Sequence, residues 1–252
     1  RNLTDRQLAA INRRHFLRGL GACVALPAFA SLLPRRMLAA AAGDVGELHI
    51  GYSPSPTANI LPEILRAFRK SDDATPIVLM GYFNPIYSYG VPAFLKDALA
   101  AGADGLIVVD IPPEEADPLA DALDSEQLSL LLLSTPTSDD ARLKIIQKRT
   151  SGFAYYVSVA GVTGVKEADA ATVAPHVERV RAASGLPVAV GFGIKTPERA
   201  AAVARVADGV VVGSALVDEV ADALATNDSV TARVLSKVES LAKAVRSARE
   251  SA

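Results

Sequence analysis

The interpretation of this chain depends on two short stretches, Val188-Ala189-Val190-Gly191-Phe192-Gly193 and Gly209-Val210-Val211-Val212-Gly213-Ser214-Ala215. Each is an apolar strand-like run that ends in glycine and leads into a helix-forming sequence. Glycine allows backbone N–H groups to approach a ligand closely, and the helix N-terminus behind it attracts an anion. We call these two stretches, residues 188–193 and 209–215, the two glycine corners. Two such corners in succession favour a phosphate-binding site. The alternative is two ordinary strand-to-helix turns.

These corners end a longer series of alternating elements that begins near Pro76. The predicted strands are Ile77–Met80, Gly105–Val109, Leu128–Leu133, Phe153–Val157, Val188–Val190 and Gly209–Val212. The predicted helices are Val91–Ala101, Pro113–Leu123, Asp139–Gln147, Ala168–Ser184, Pro197–Arg205 and Ala215–Arg249. Continuous apolar strands that alternate with helices are typical of a parallel sheet. We therefore predict an α/β fold with a parallel sheet. In one such fold, the (β/α)8 TIM barrel, phosphate often binds after the seventh and eighth strands.

Composition excludes several classes of function. The 252 residues suffice for one α/β barrel or two small domains, and the net charge of −2 gives no basic surface for nucleic acid. The single cysteine, Cys23, excludes a disulfide within the chain and a site with several cysteine ligands. The three histidines are scattered without metal-binding spacing, so we predict no metal.

The N-terminal part has a different character. Arg13-Arg14-His15-Phe16-Leu17-Arg18 precedes an apolar run from Gly19 to Leu33, and small residues follow at Leu38–Gly43. This pattern is similar to a twin-arginine export signal, and the alternative is a buried amphipathic helix that begins near Thr4. We expect a signal-like or irregular segment over residues 1–43, a TIM-barrel domain over residues 44–252, and no membrane span in the mature protein.

One further strand and helix are predicted before Pro76. Gly46–Tyr52 followed by Leu61–Phe68 has the pattern of a βα unit, and it resembles the start of a LysR-type effector-binding domain. Within a barrel, Leu48–Tyr52 could fill the second strand position. Cys23–Ala30 could fill the first, although Pro27 disfavours a strand there. We therefore expect a barrel whose first two βα units are incomplete or substituted.

Residues from about Arg66 to Leu224 closely resemble the α subunit of tryptophan synthase. Motifs in the family's order and near the family's spacing carry this resemblance. They are PIVLMGYFNPI at Pro76–Ile86, VDIPPEE at Val109–Glu115, LSTPT at Leu133–Thr137, YYVSVAGVTG at Tyr155–Gly164, and the two glycine corners.

The resemblance implies a (β/α)8 barrel that cleaves indole-3-glycerol phosphate into indole and glyceraldehyde 3-phosphate. It implies no cofactor in this subunit and a partner, the tryptophan synthase β subunit, to which the indole passes. It also implies a cytoplasmic location, with export left open by the signal-like segment. Carried over by motif, Gly164, Gly193, Gly213 and Ser214 would bind the phosphate. Tyr82 and Phe192 would line the indole pocket, Tyr155 would lie near the reacting carbon, and Thr163 would belong to a lid.

The resemblance also implies two carboxylates, a glutamate that moves protons and an aspartate that stabilises the protonated indole nitrogen. The motif that carries them, Glu-Leu-Gly-x-Pro-Phe-Ser-Asp, is not found in this chain. The nearest sequence is Glu47-Leu48-His49-Ile50-Gly51-Tyr52-Ser53, which makes Glu47 a provisional catalytic residue. The alternative for Glu47 is an exposed residue at the start of a strand. Asn59 lies where an acid is wanted, and an amide cannot titrate. We therefore predict an alpha-type lyase of low activity; the alternative is a non-catalytic phosphate-binding barrel remnant or a chimeric reading frame.

Overall fold

The computed structural model describes residues 22–25, 47–51, 76–158, 170–191 and 193–250. Nine strands lie in these ranges: β1 (Ala22–Ala25), β2 (Glu47–Gly51), β3 (Ile77–Gly81), β4 (Gly105–Val108), β5 (Ser129–Leu131), β6 (Leu133–Ser134), β7 (Ala154–Val157), β8 (Val188–Gly191) and β9 (Gly209–Val212). The same ranges contain eight α-helices: α1 (Phe83–Tyr89), α2 (Val91–Ala101), α3 (Asp117–Ser125), α4 (Asp140–Arg149), α5 (Ala170–Ser184), α6 (Pro197–Ala204), α7 (Ser214–Thr226) and α8 (Val230–Glu250). A 3-10 turn covers Pro113–Glu115.

The strands form one sheet that closes on itself. Their order is β5-β4-β3-β2-β1-β9-β8-β7-β6, and only Leu132 separates β5 from β6 along the chain. The two ends of the sheet are therefore two halves of one segment, which pairs with β4 before Leu132 and with β7 after it. This closure gives eight strand positions and confirms the predicted TIM-barrel type.

The first two barrel positions are filled by the N-terminal part of the chain. β2 pairs in parallel with β3, as expected for a substitute second strand. β1 lies between β2 and β9 but is antiparallel to both, with Ala22 opposite Ile50 and Val24 opposite Val212. It ends two residues before Pro27, so it is shorter than the predicted stretch. Occupying this gap removes the two sheet edges that a missing strand would expose.

Apolar side chains form an inner and an outer layer. Inside the barrel, alternate residues of neighbouring strands pack together, among them Val78, Ile107, Tyr155 and Val211. The intervening residues face the helices in two outer clusters. This two-sided burial explains why the strands are continuously apolar in sequence.

Three helical regions of the structure differ from the predicted elements. No helix is predicted between Met80 and Val91, but Asn84–Tyr87 lies inside α1. Pro85 is the third residue of this helix, and proline is tolerated in a first turn because its missing N–H has no helical partner there. The predicted final helix is two helices, because Asn227 adopts a left-handed conformation with φ of 57° and ends α7. The predicted helix at Pro113–Leu123 divides into the 3-10 turn and α3.

The neighbouring strands β8 and β9 are fastened to each other where they begin. The Asp208 carboxylate accepts hydrogen bonds from the Val188 backbone N–H at 2.9 Å and from the Arg181 guanidinium at 2.8 Å. The Arg249 guanidinium on α8 donates to the backbone oxygen of Asp208. These bonds fix the starts of the two strands that carry the glycine corners at their other ends.

Candidate active site

The two glycine corners lie next to each other because β8 and β9 are adjacent parallel strands. Gly193 follows β8 by two residues and has a φ of 76°, a left-handed conformation that favours glycine. Gly213 follows β9 directly, and Ser214 begins α7. The Lys195 ammonium lies 3.5 Å from the Asp218 carboxylate, so the segment after β8 contacts the second turn of α7. Both corners are therefore at the C-terminal end of the barrel, where TIM-barrel active sites occur.

The N-terminus of α7 has the features of an anion-binding position. No side-chain hydrogen bond caps the helix at Gly213, and the first turn contains no acidic residue. Asp139 caps α4 and Thr196 caps α6 through their side chains, whereas α1, α2 and α3 lack a side-chain cap as α7 does. The backbone N–H groups at the start of an uncapped helix carry partial positive charge and can donate to a phosphate.

The two neighbouring tyrosines of β7 face opposite sides of the sheet. Tyr155 belongs to the inner cluster and is 1% exposed. A Cβ atom added at Gly191 would lie 2.1 Å from the Tyr155 hydroxyl, so the phenol occupies the space that this glycine leaves. Because Gly191 is the last residue of β8, the Tyr155 hydroxyl points toward the C-terminal end of the barrel.

Tyr156 faces the outer layer, where its ring stacks on His176 with centroids 5.6 Å apart. Burial raises the pKa of Tyr156 to about 12. This residue is therefore a neutral packing group at ordinary pH, and only Tyr155 of the pair reaches the barrel interior.

An aromatic helix lies at the mouth of the barrel after β3. Tyr82 is the N-cap residue of α1 and is 58% exposed, while Tyr87 and Tyr89 are 68% and 54% exposed. Tyr82 provides no side-chain cap; instead, Asp110 after β4 accepts the Phe83 backbone N–H at 2.7 Å. The sequence motif contained Asp110, but its role in holding α1 is a contact over 27 residues that spacing alone does not reveal.

The provisional catalytic residue Glu47 is the first residue of β2. The next residue, Leu48, is paired with Ile77, so Glu47 lies at the N-terminal end of the barrel strands. Three other predicted site residues, Thr163, Gly164 and Phe192, lie outside the described residues.

The described ranges contain no group of three or more His, Cys, Asp or Glu side chains that could hold a metal ion. None of the helices in those ranges combines the length and apolar character that a membrane span requires. The twin-arginine-like motif and the helix predicted at Leu61–Phe68 lie outside the described residues.

A family model described as the tryptophan synthase alpha chain matches residues 49–246. This chain belongs to that family. The tryptophan synthase alpha chain of Phenylobacterium zucineum (strain HLK1) is 73% identical over 189 residues, which are 75% of this chain and 68% of that relative. The alpha chain of Caulobacter vibrioides (strain NA1000 / CB15N) is 64% identical over 187 residues, which are 74% of this chain and 68% of that relative.

The crystal structure of tryptophan synthase subunit alpha from Legionella pneumophila (strain Paris) superimposes with a TM-score of 0.69 at 39% identity. The superposition covers 75% of this chain and 70% of that one. The fold and the class of function predicted from sequence are thereby confirmed: the chain is an alpha-type lyase of tryptophan biosynthesis by family. Glu47 and β1 precede the residues that the tryptophan synthase alpha model matches.

Proposed function

We propose that this chain binds the phosphate of indole-3-glycerol phosphate at the two glycine corners and cleaves this substrate slowly. The observation that carries the proposal is the start of α7, where Ser214 begins a 13-residue helix with no side-chain cap and no acid in its first turn. The neighbouring corner supplies Gly193, whose conformation favours glycine. Family resemblance adds Gly164 as a further phosphate ligand.

We place the indole ring on the inner side of the same barrel mouth. The Tyr155 hydroxyl points toward this end and supports a position near the reacting carbon. Tyr82 lies at the rim after β3, and Phe192 lies between the glycines of the first corner. The proposed lid residue is Thr163, in the segment after β7.

Glycerol 3-phosphate should bind this chain and raise its melting temperature. Gly213→Asp should abolish that shift, because a carboxylate would then lie where the phosphate binds and would interact with the same N–H groups. The measurement is thermal unfolding with increasing glycerol 3-phosphate, followed by titration calorimetry on both proteins.

Gly185→Asp provides a matched control. Gly185 lies in the turn before β8, at the opposite end of the barrel, and an added Cβ there meets nothing within 4 Å. This variant adds the same charge and should bind glycerol 3-phosphate like the wild type. Equal binding by Gly213→Asp and the wild type would refute the phosphate site.

A second candidate function is a phosphate-binding barrel without catalysis. The position of Glu47 favours it, because this residue begins β2 and precedes the segment that matches the family. In that case glycerol 3-phosphate would bind normally, and no indole would be released from indole-3-glycerol phosphate. The two functions therefore share the phosphate site and differ in the acid–base groups.

The exposed tyrosines of α1 support a proposed interface with a tryptophan synthase β subunit. Large aromatic side chains that remain exposed in one chain are common at partner surfaces. The family's Glu-Leu-Gly-x-Pro-Phe-Ser-Asp motif is not found around β2, so we expect a weaker complex than an alpha chain with that motif would form. Gel filtration with a β subunit tests this expectation, and a tight stoichiometric complex would contradict it.

We further propose that residues 44–252 form the barrel domain and that the preceding segment contributes β1 to it. By family, the proposed reaction is cytoplasmic and uses no cofactor of this subunit.

A further inference from the structure

One ion pair joins the two glycine corners. Lys195 follows Gly193 by two residues, and Asp218 follows Ser214 by four residues on α7. Their Nζ and Oδ2 atoms are 3.5 Å apart, and the two side chains are 38% and 61% exposed. The ammonium group therefore lies beside the second turn of α7, the helix that begins at the second glycine corner.

We propose that Lys195 is a cationic ligand of the substrate phosphate and that Asp218 holds its ammonium group when no phosphate is bound. This inference rests on the proposed function. Backbone N–H groups carry only partial charges, so they neutralise a phosphate dianion incompletely. A lysine ammonium is a compact full charge on a flexible four-carbon stem, which suits a ligand that moves between two anions.

The geometry of the pair allows this exchange. A separation of 3.5 Å is longer than the roughly 2.7–2.9 Å of a close charge-assisted hydrogen bond. Exposed ion pairs of this kind contribute little to stability because water screens them. A phosphate carries more charge than one carboxylate, so it should compete successfully for Lys195 when it binds at Gly193 and Ser214.

The first test compares three variants by titration calorimetry with glycerol 3-phosphate and with inorganic phosphate. Lys195→Gln should raise the Kd of both ligands by about three- to tenfold, and Lys195→Arg should keep most of the affinity. Lys144→Gln is the control, since Lys144 is an exposed lysine on α4 and its loss changes net charge equally. The control should leave the Kd unchanged, and raising the salt concentration should weaken binding less in Lys195→Gln than in the wild type.

The second test removes the competing carboxylate. Asp218→Asn should tighten glycerol 3-phosphate binding by about two- to fivefold, because the ammonium group no longer has a resident partner. Most of that gain should disappear when Asp218→Asn is combined with Lys195→Gln, since the proposed effect acts through the lysine.

Failure of this inference differs from failure of the proposed function. If Gly213→Asp abolishes binding while Lys195→Gln binds like the wild type, the phosphate site stands and the role of Lys195 is refuted. A lowered melting temperature of Lys195→Gln without any change in Kd would also refute it, because the pair would then serve stability alone. If the wild type binds neither ligand, both proposals fail.

Discussion

Indole release from indole-3-glycerol phosphate should be at least about 10²–10⁴-fold slower with this chain than with the Phenylobacterium zucineum alpha chain. Loss of one positioned acid or base typically costs a factor of this size, and two carboxylates are in question here. This chain lacks the family's motif that contains both carboxylates. Asn59 cannot replace the aspartate, because an amide does not carry the required charge. The expected rate is therefore low even when the substrate binds.

The position of Glu47 supports this expectation. Glu47 and Gly51 are the two ends of β2, and Gly51 pairs with Met80 near the C-terminal end of β3. At a rise of about 3.3 Å per residue, the backbone of Glu47 lies roughly 13 Å from the strand end where the site is proposed. A general base must come within hydrogen-bond distance of the proton that it removes.

The assay measures indole from indole-3-glycerol phosphate, with and without a β subunit, for the wild type and Glu47→Gln. Family-like turnover that Glu47→Gln abolishes would make Glu47 the base and contradict the low-activity prediction. Family-like turnover that survives the substitution would require an acid elsewhere in the chain. Absence of indole from a protein that still binds glycerol 3-phosphate would favour the non-catalytic barrel.

Local pattern was sufficient to predict most of the barrel. Strands buried on both faces are continuously apolar, and the helices between them begin with recognisable caps such as Thr196 and Asp139. The turn-forming residues Asn227-Asp228-Ser229 are also a local pattern, and they correctly indicate a break between α7 and α8 that the predicted single helix lacks. Features of this kind depend on neighbours in sequence, so the sequence alone can reveal them.

The features that could not be predicted from sequence depend on contacts between residues that are far apart in the chain. The Asp110 carboxylate accepts a hydrogen bond from the first amide of α1, a helix that the sequence analysis does not predict. Apolar residues at Ala22–Ala25 indicate a strand, but they do not fix its direction, and β1 is antiparallel. Because Tyr155 and Tyr156 are adjacent in one strand, their side chains must lie on opposite faces of the sheet, but this alternation does not indicate which of them faces the barrel interior.

Gly191→Ala should lower the free energy of unfolding by about 3 kcal/mol or more. The added methyl group would lie 2.1 Å from the Tyr155 hydroxyl oxygen, 2.7 Å from Cζ and 3.0 Å from Cε1. The Tyr155 ring is 1% exposed and packs within the inner cluster, so moving it away from the added methyl group would disturb that packing. Urea unfolding of the variant and the wild type measures the difference.

Substitutions of Tyr155 should reduce the cost of Gly191→Ala in a graded way. Tyr155→Phe removes the nearest atom but leaves Cζ at 2.7 Å, so only part of the cost should disappear. Tyr155→Leu removes the ring, and in that background Gly191→Ala should cost less than about 1 kcal/mol. Gly185→Ala is the control, because its site is open and its φ of +65° imposes only backbone strain.

The graded result separates a steric cause from a backbone cause. If the methyl group acted only on the backbone of β8, Gly191→Ala would lower the free energy of unfolding by the same amount with Tyr, Phe or Leu at position 155. The Gly185→Ala control should show this constant effect in all three backgrounds. A cost that decreases from tyrosine to phenylalanine to leucine would instead show that Gly191 provides the space for the Tyr155 ring. The last residue of β8 would then determine where the Tyr155 hydroxyl lies at the barrel mouth, and Gly191→Ala would displace a proposed catalytic group without touching the phosphate corners.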